Sequence, residues 1–214
     1  MERCTIESVL YVSPLHTSFM PDAAKSSLPR SEEILSVAQD FIQTRGYNGF
    51  SYRDIAAAIG IKSASIHYHF PTKGELGRSV AARYCDRFDQ ALQSIREDAA
   101  TAGEQLEAYV ALFRDTLVER DRLCMCGMLA GELKTVPPEV KGEVARFFTA
   151  QQQWLSQVIQ AGIDNKEIAA SEEALSWATM FVASLEGAML VARGLDDFQY
   201  FDVVSKKLLD QLFE

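Results

Sequence analysis

From Ser31 to Val136 a single proline, Pro71, interrupts the chain, and apolar residues recur three and four apart nearly throughout. That spacing is the period of an α-helix with one buried face. No stretch alternates apolar and polar residues between hairpin turns, and no 20–50-residue unit repeats. The fold class expected is therefore all-α, with about nine helices.

The punctuation sets the elements. Ile34, Leu35, Ala38, Phe41 and Ile42 fall on one face after Ser31, and Gly46 supplies a stop. Ser51-Tyr52-Arg53-Asp54 and Thr72-Lys73-Gly74-Glu75 each have the spacing of a capping box, in which a hydroxyl and a carboxylate three residues on satisfy each other's backbone N–H. The first opens a short helix that Gly60 ends. A second short helix runs from about Ser63 to Phe70, and the Thr72 box opens a long one to about Arg96. Further helices are expected at about 104–120, 122–134, 139–161, 171–193 and 197–213. Pro138 is suited to a first helical position, and Gly162 and Gly194 to left-handed stops. Residues 1–29 hold three of the six prolines and show no period, so a poorly ordered leader is expected over 1–30. It is either a genuine flexible arm or an over-extended reading frame whose true start is Met20.

Charge is segregated. The chain carries a net −9, but residues 30–90 hold eight basic and seven acidic groups, while residues 91–214 hold eleven and twenty. Residues 62–87 contain Lys62, Lys73, Arg78, Arg83 and Arg87 against only Glu75 and Asp86. A nucleic-acid-facing front half is compatible with an acidic back half. Four cysteines make no disulfide framework, and the N-terminus has no secretory signal, which points to a reducing cytoplasm. The longest apolar stretch, 177–192, contains Ser184 and Glu186 and is shorter than a membrane span requires, so no membrane partner is expected.

Ala56, Gly60 and Ile66 stand in the spacing A-x3-G-x5-I. A helix-turn-helix needs a small residue where the second helix crosses, a glycine with positive φ at the sharp turn, and an apolar wedge between the helices. Ala56, Gly60 and Ile66 meet those needs, with Ile55, Ile59, Ile61 and Phe70 completing the packing. Alone the spacing is weak; its flanks strengthen it. Gly46 to Ser51, Ile55 to Gly60 and His67 to Leu76 run in one order. Together these residues resemble the DNA-binding domain of the TetR family of transcriptional regulators. The likeness is dense over about 31–90. Beyond it, only the number of helices and the Glu186-Gly187 step agree. His67 stands where the family usually has tyrosine, so stacking on a sugar or thymine methyl would be weaker.

Geometry and resemblance together assign roles. On a short helix entering the major groove N-terminus first, Ser63, Ala64 and Ser65 lead towards base edges, after Lys62. The resemblance places phosphate or base contacts at His67 and His69, with Tyr68 half turned in. Lys73, at a helix N-terminus, suits a phosphate, or else is an ordinary solvated lysine. Ser51 and Tyr52 would clamp the backbone. A metal pair at His67 and His69 is disfavoured, because a two-residue spacing suits a strand.

The resemblance divides the chain into a leader (1–30), a DNA-binding domain (31–91) and a ligand-binding and dimerisation domain (92–214). It implies double-stranded operator DNA and a second copy of the chain as partners, and a small, apolar, unidentified effector that releases a repressor. Phe113, Leu117, Met125, Met128, Phe147 and Trp154 could line the effector pocket or be ordinary core. The apolar stripes at 175–192 and 198–212 fit either a larger internal core or a two-fold four-helix bundle. The second is the expectation, with Leu185, Met189, Phe201 and Leu208 at the interface. Cys124 and Cys126, near Arg120 and Arg122, are either small buried thiols or electrophile or redox sensors with lowered pKa. No phosphate loop, H-E-x-x-H or G-x-S-x-G occurs. No enzyme activity, cofactor or metal is expected, and a non-DNA-binding helical adaptor would not need the basic cluster.

Overall fold

Both expected capping boxes close. Ser51 N donates to Asp54 Oδ2 at 2.7 Å, and Glu75 N donates to Thr72 Oγ1 at 3.1 Å while Thr72 N donates back to Glu75 Oε2 at 3.1 Å. The computed structural model describes residues 29–169 and 173–214. The leader, Met20 and the start of the helix expected at 171 lie outside those residues. Within them the chain is helical, with no strand: α1 (Arg30–Arg45), α2 (Tyr52–Ile59), α3 (Ser63–His69), α4 (Lys73–Asp98), α5 (Ala102–Val118), α6 (Met125–Gly131), α7 (Pro138–Asp164), α8 (Ala174–Leu195) and α9 (Gln199–Phe213).

Boundaries moved where side chains overrode glycine punctuation. A third capping box, Thr101 with Glu104, starts α5 at Ala102. Gly162 does not stop α7 but lies inside it, where a Cβ would come within 2.5 Å of Ile168 Cδ1 and 2.7 Å of Ala102 Cβ. Asp196, at φ 53°, takes the left-handed position expected of Gly194, which remains helical. The helix expected at 122–134 shrinks to α6, because Asp121 is left-handed at φ 53° and Cys124, at φ −55° and ψ 126°, is non-helical.

α1 packs on the first half of α4, α2 packs on α1 and α3 on α2, and α4 continues into the back half against α7. The expected boundary at residue 91 thus falls within a continuous helix. Arg83 fastens α4 to α1, donating to Glu32 Oε2 at 3.0 Å, Ser36 Oγ at 3.2 Å and Gln39 Oε1 at 3.1 Å. The back half packs α7 against α4 and α8, and α8 against α9, with α5 touching both α8 and α9. Its centre is aromatic: Tyr84 and Phe88 of α4, Tyr109 and Phe113 of α5, and Phe147 and Trp154 of α7 meet at 4.9–6.2 Å between ring centroids.

The expected interface residues require correction. Leu185, Met189, Phe201 and Leu208 are 0%, 1%, 0% and 5% exposed within one copy, so they form its own core. The apolar stripes were wide enough to serve two faces, and the inner one is satisfied by α5, α7 and the other member of the α8–α9 pair. The outer face carries the exposed apolar residues: Leu175, Leu190, Val191, Leu195, Tyr200 and Val203. By length and composition alone α8 could cross a membrane, but here its inner stripe is packed in this core.

Candidate nucleic-acid interface

Gly60 adopts φ 70°, ψ 35°, the left-handed conformation that turns α2 into α3. Ile61 N then donates to Ala56 O at 3.0 Å. Ile55, Ala56, Ile66 and Phe70 are buried and Ile59 and Ile61 half-buried, as a wedge between two crossing helices demands. Ile66 is the one residue of α3 that turns fully inward.

The rest of α3 faces away. Ala64, Ser65, His67, Tyr68 and His69 are exposed, Ser63 is half-buried, and Lys62 precedes them on the surface. Tyr68 is 84% exposed rather than half turned in, its ring edge-on to His69 at 5.2 Å. A shallow groove of about 530 Å³ runs beside α3, lined by Ile61, Ala64, Ser65, Tyr68, His69 and, from α1, Arg30. No acidic side chain stands on α3, whose sequence is Ser-Ala-Ser-Ile-His-Tyr-His. A ridge of hydroxyl, imidazole and phenol groups without carboxylates is suited to base edges and phosphate oxygens.

Residues 34–80 match the family described as bacterial regulatory proteins, tetR family, and residues 102–208 match a tetracyclin repressor-like C-terminal domain. A TetR-family regulator structure from Agrobacterium tumefaciens is 31% identical, covers 86% of this chain and 97% of its own, and superposes with a TM-score of 0.84. This chain belongs to the TetR family. A TetR regulator from Legionella pneumophila is 32% identical over 89% of this chain and 100% of its own, with a TM-score of 0.80. The HTH-type transcriptional repressor DhaR of Mycobacterium sp. (strain GP1) is 26% identical over 189 residues, 85% of this chain and 93% of that protein. The chain is accordingly a DNA-binding transcriptional regulator, and TetR-family regulators are dimers that bind operator DNA.

Within this TetR head, several side chains do other work than expected. Tyr52 is buried: its hydroxyl donates to Phe70 O at 2.8 Å and its ring lies 4.6 Å from that of His67. It ties α2 to the end of α3, and burial pushes its phenol up to about 12. His67 is exposed but places Nδ1 3.3 Å from Pro71 O, so its ring is fixed by the fold. Ser51 Oγ is engaged with Asp54 Oδ2 at 2.6 Å, and these hydrogen bonds hold the Asp54 carboxyl below its ordinary range.

Lys73 is the clearest correction. Its ammonium turns inward, donating to Phe50 O at 2.5 Å and lying 4.3 Å and 4.8 Å from the ring centres of Phe50 and Tyr47. Burial lowers its pKa. Lys73→Met is therefore expected to lower the unfolding free energy by about 1–2 kcal/mol, from a lost hydrogen bond and cation–π contact. A urea melt tests this; an unchanged midpoint would show the lysine free in solution for phosphate.

Arg30 and Arg53, both exposed near α3 and at the start of α2, are cations the motif reading missed. Arg53 could have been found, because it stands inside a capping box at a helix N-terminus. Arg30 could not, because only the fold brings α1 beside α3.

Several side chains join the back half to this TetR head, one carboxylate foremost. Glu132, just after α6, accepts from Tyr47 N at 2.8 Å, Asn48 N at 3.1 Å and Asn48 Nδ2 at 2.6 Å. Gly46 allows that approach, since a Cβ there would lie 2.0 Å from Glu132 Oε1. Gln43 Nε2 donates to Leu123 O at 2.8 Å, and Arg122 pairs with Asp40 at 2.5 Å.

The thiols are not activated. Cys124 and Cys126 are buried, and burial pushes both well above the ordinary thiol range. The arginines expected to lower them are engaged elsewhere: Arg120 pairs with Asp115 at 2.6 Å and Arg122 with Asp40. Among the described residues no cluster of three or more potential metal ligands occurs. Phe113, Leu117, Met125, Phe147 and Trp154 are buried and Met128 half-buried, all in or against one continuous core.

Proposed function

We propose that the chain is an effector-released repressor that binds a pseudo-palindromic operator as a two-fold dimer. The observation that carries this is α3 itself, a rigidly seated helix whose outward residues Ala64, Ser65, Tyr68 and His69 are all exposed and uncharged or basic. Ser65, Tyr68 and His69 read bases, while Lys62, Arg30 and Arg53 contact phosphates. The outer α8–α9 face supplies the dimer contact, and its apolar area needs a partner of the same kind. The similarity to a protein named as a repressor supports repression over activation. Operator binding would place the protein in the cytoplasm. The acidic back half repels DNA and keeps non-specific binding weak.

Selection of bound duplexes from random DNA tests the reading. The expected outcome is a motif with two inverted half-sites, because each subunit presents the same α3. Enrichment of a single unrepeated half-site would remove the dimeric part of the proposal, and no enrichment would remove all of it.

A further inference from the structure

Glu186 is a largely desolvated carboxylate with one oxygen that the described fold leaves unanswered. It projects from α8 towards the aromatic centre. Its Oε1 is closed to solvent and has no hydrogen-bond donor, while Oε2 lies where a Cβ on Gly127 of α6 would be 2.3 Å away. Its side-chain donor is the Cys124 thiol, a weak one. The titratable groups facing it are Tyr84 from α4, Tyr109 from α5, and Cys124 and Cys126 from α6. None of these is a cation, and burial raises its carboxyl to about 7. A desolvated carboxylate without a partner is unfavourable in a resting fold.

Two unanswered donors lie against Tyr109. Gln151 is fully buried; its Oε1 accepts from Tyr109 at 2.5 Å, and its Nε2 has no acceptor. Trp154 stacks on Tyr109 at 5.6 Å, and its Nε1 also lacks a partner. Tyr109 is thus ringed by one orphan acceptor, two orphan donors and the faces of Phe88 and Phe113. A cleft of about 500 Å³ between α4 and α7 borders this cluster at Trp154, with Leu92 also in its lining and Asp89, Glu97 and Arg96 along it. Residues 91–214 carry twenty acidic against eleven basic groups, which draws cations towards the cleft.

We propose that the effector is a small organic cation, an ammonium N–H donor on an aryl body, that pairs with Glu186 among these rings. The inference deepens the effector-released reading above and rests on it. The ammonium answers Glu186 Oε1, and the ring gains the aromatic faces. The consequence travels through α6. Glu186 bears on Gly127, and the chain leaving α6 holds Tyr47 and Asn48 through Glu132, so an occupied Glu186 shifts the corner that seats the reading head.

The test uses the full-length protein and a panel of arylalkylamines, from benzylamine to 4-phenylbutylamine, beside the corresponding alcohols. Fluorescence of the two tryptophans reports binding. An amine is expected to bind saturably and to weaken by at least about tenfold in Glu186→Gln, as a charge-assisted hydrogen bond would. The alcohols should bind weakly and alike in both proteins. Alcohols binding as well as amines, an unchanged amine affinity in the variant, or silence from the whole panel would each overturn the proposal.

A ligand-free measurement guards against an ill-shaped panel. The folded-state pKa of Glu186 lies above its ordinary value, so the folded chain holds a proton the unfolded chain has lost. Stability therefore falls as pH rises from about 4.5 to about 7. Glu186→Gln should raise Tm by several degrees at about pH 8 and far less at about pH 5. A lower Tm at the higher pH would make Glu186 structural and sink the idea. Failure of DNA binding with amine binding intact would remove the regulatory reading and leave this site. Sound DNA binding with a silent panel would do the reverse.

Discussion

Leu195→Glu combined with Val203→Glu is expected to give a well-folded monomer, whereas Leu208→Glu is expected to unfold the chain. Leu195 and Val203 are 61% and 68% exposed on the outer face of the last two helices, so a charge there is solvated in an isolated copy. In a dimer it would be buried against its own symmetry mate, where an unpaired charge costs several kcal/mol. Leu208 is 5% exposed inside the copy itself. The same charge there is set against a total stability of about 5–15 kcal/mol. Sedimentation should move the double variant from about twice 23.8 kDa to 23.8 kDa with its helical circular dichroism intact. Operator affinity should fall by about 10²–10⁴, because the second half-site is no longer delivered by the first. A double variant that remains dimeric would relocate the interface.

The contrast between exposed Leu195 and Val203 and buried Leu208 marks where the sequence was legible. Helix positions were written in local chemistry: Ser51 with Asp54, Thr72 with Glu75, Pro138 at a first turn, and Gly60 at the left-handed turn between α2 and α3. The head was legible for the same reason, since Ala56, Gly60 and Ile66 pack against neighbours only a few residues away. The periodicity of residues 175–192 and 198–212 showed two apolar stripes but not which stripe faced inward. That depends on α5 and α7, which arrive from elsewhere in the chain. Lys73 was misread likewise: its charge suggested phosphate, and only the folded corner of Tyr47 and Phe50 offers the alternative. The partnership of Glu132 with Tyr47 and Asn48 spans more than eighty residues and has no local signature. Cys124 and Cys126 looked activated because Arg120 and Arg122 are near in sequence, but those guanidiniums turn to Asp115 and Asp40.

Tyr68→Ala carries the second large effect. The ring is 84% exposed and stands edge-on to His69 at the surface, so its removal should leave the melting temperature unchanged. On DNA it should cost about 1–3 kcal/mol, with relaxed preference at the bases it contacts. Arg53→Ala should instead weaken all sequences similarly and lower the salt slope by about one per subunit. A Tyr68→Ala protein that melts early would place the ring in the fold rather than on the operator.

The most direct measurement is footprinting of purified protein on the DNA upstream of its own gene, at about 0.1 M salt, where specific complexes survive. The account predicts protection of one pseudo-palindromic site whose half-sites lie on one face of the duplex, lost in Tyr68→Ala at the same concentration. Absence of any protected site in the intact dimer, or identical protection by Tyr68→Ala, would contradict the assignment of α3 as the reading helix.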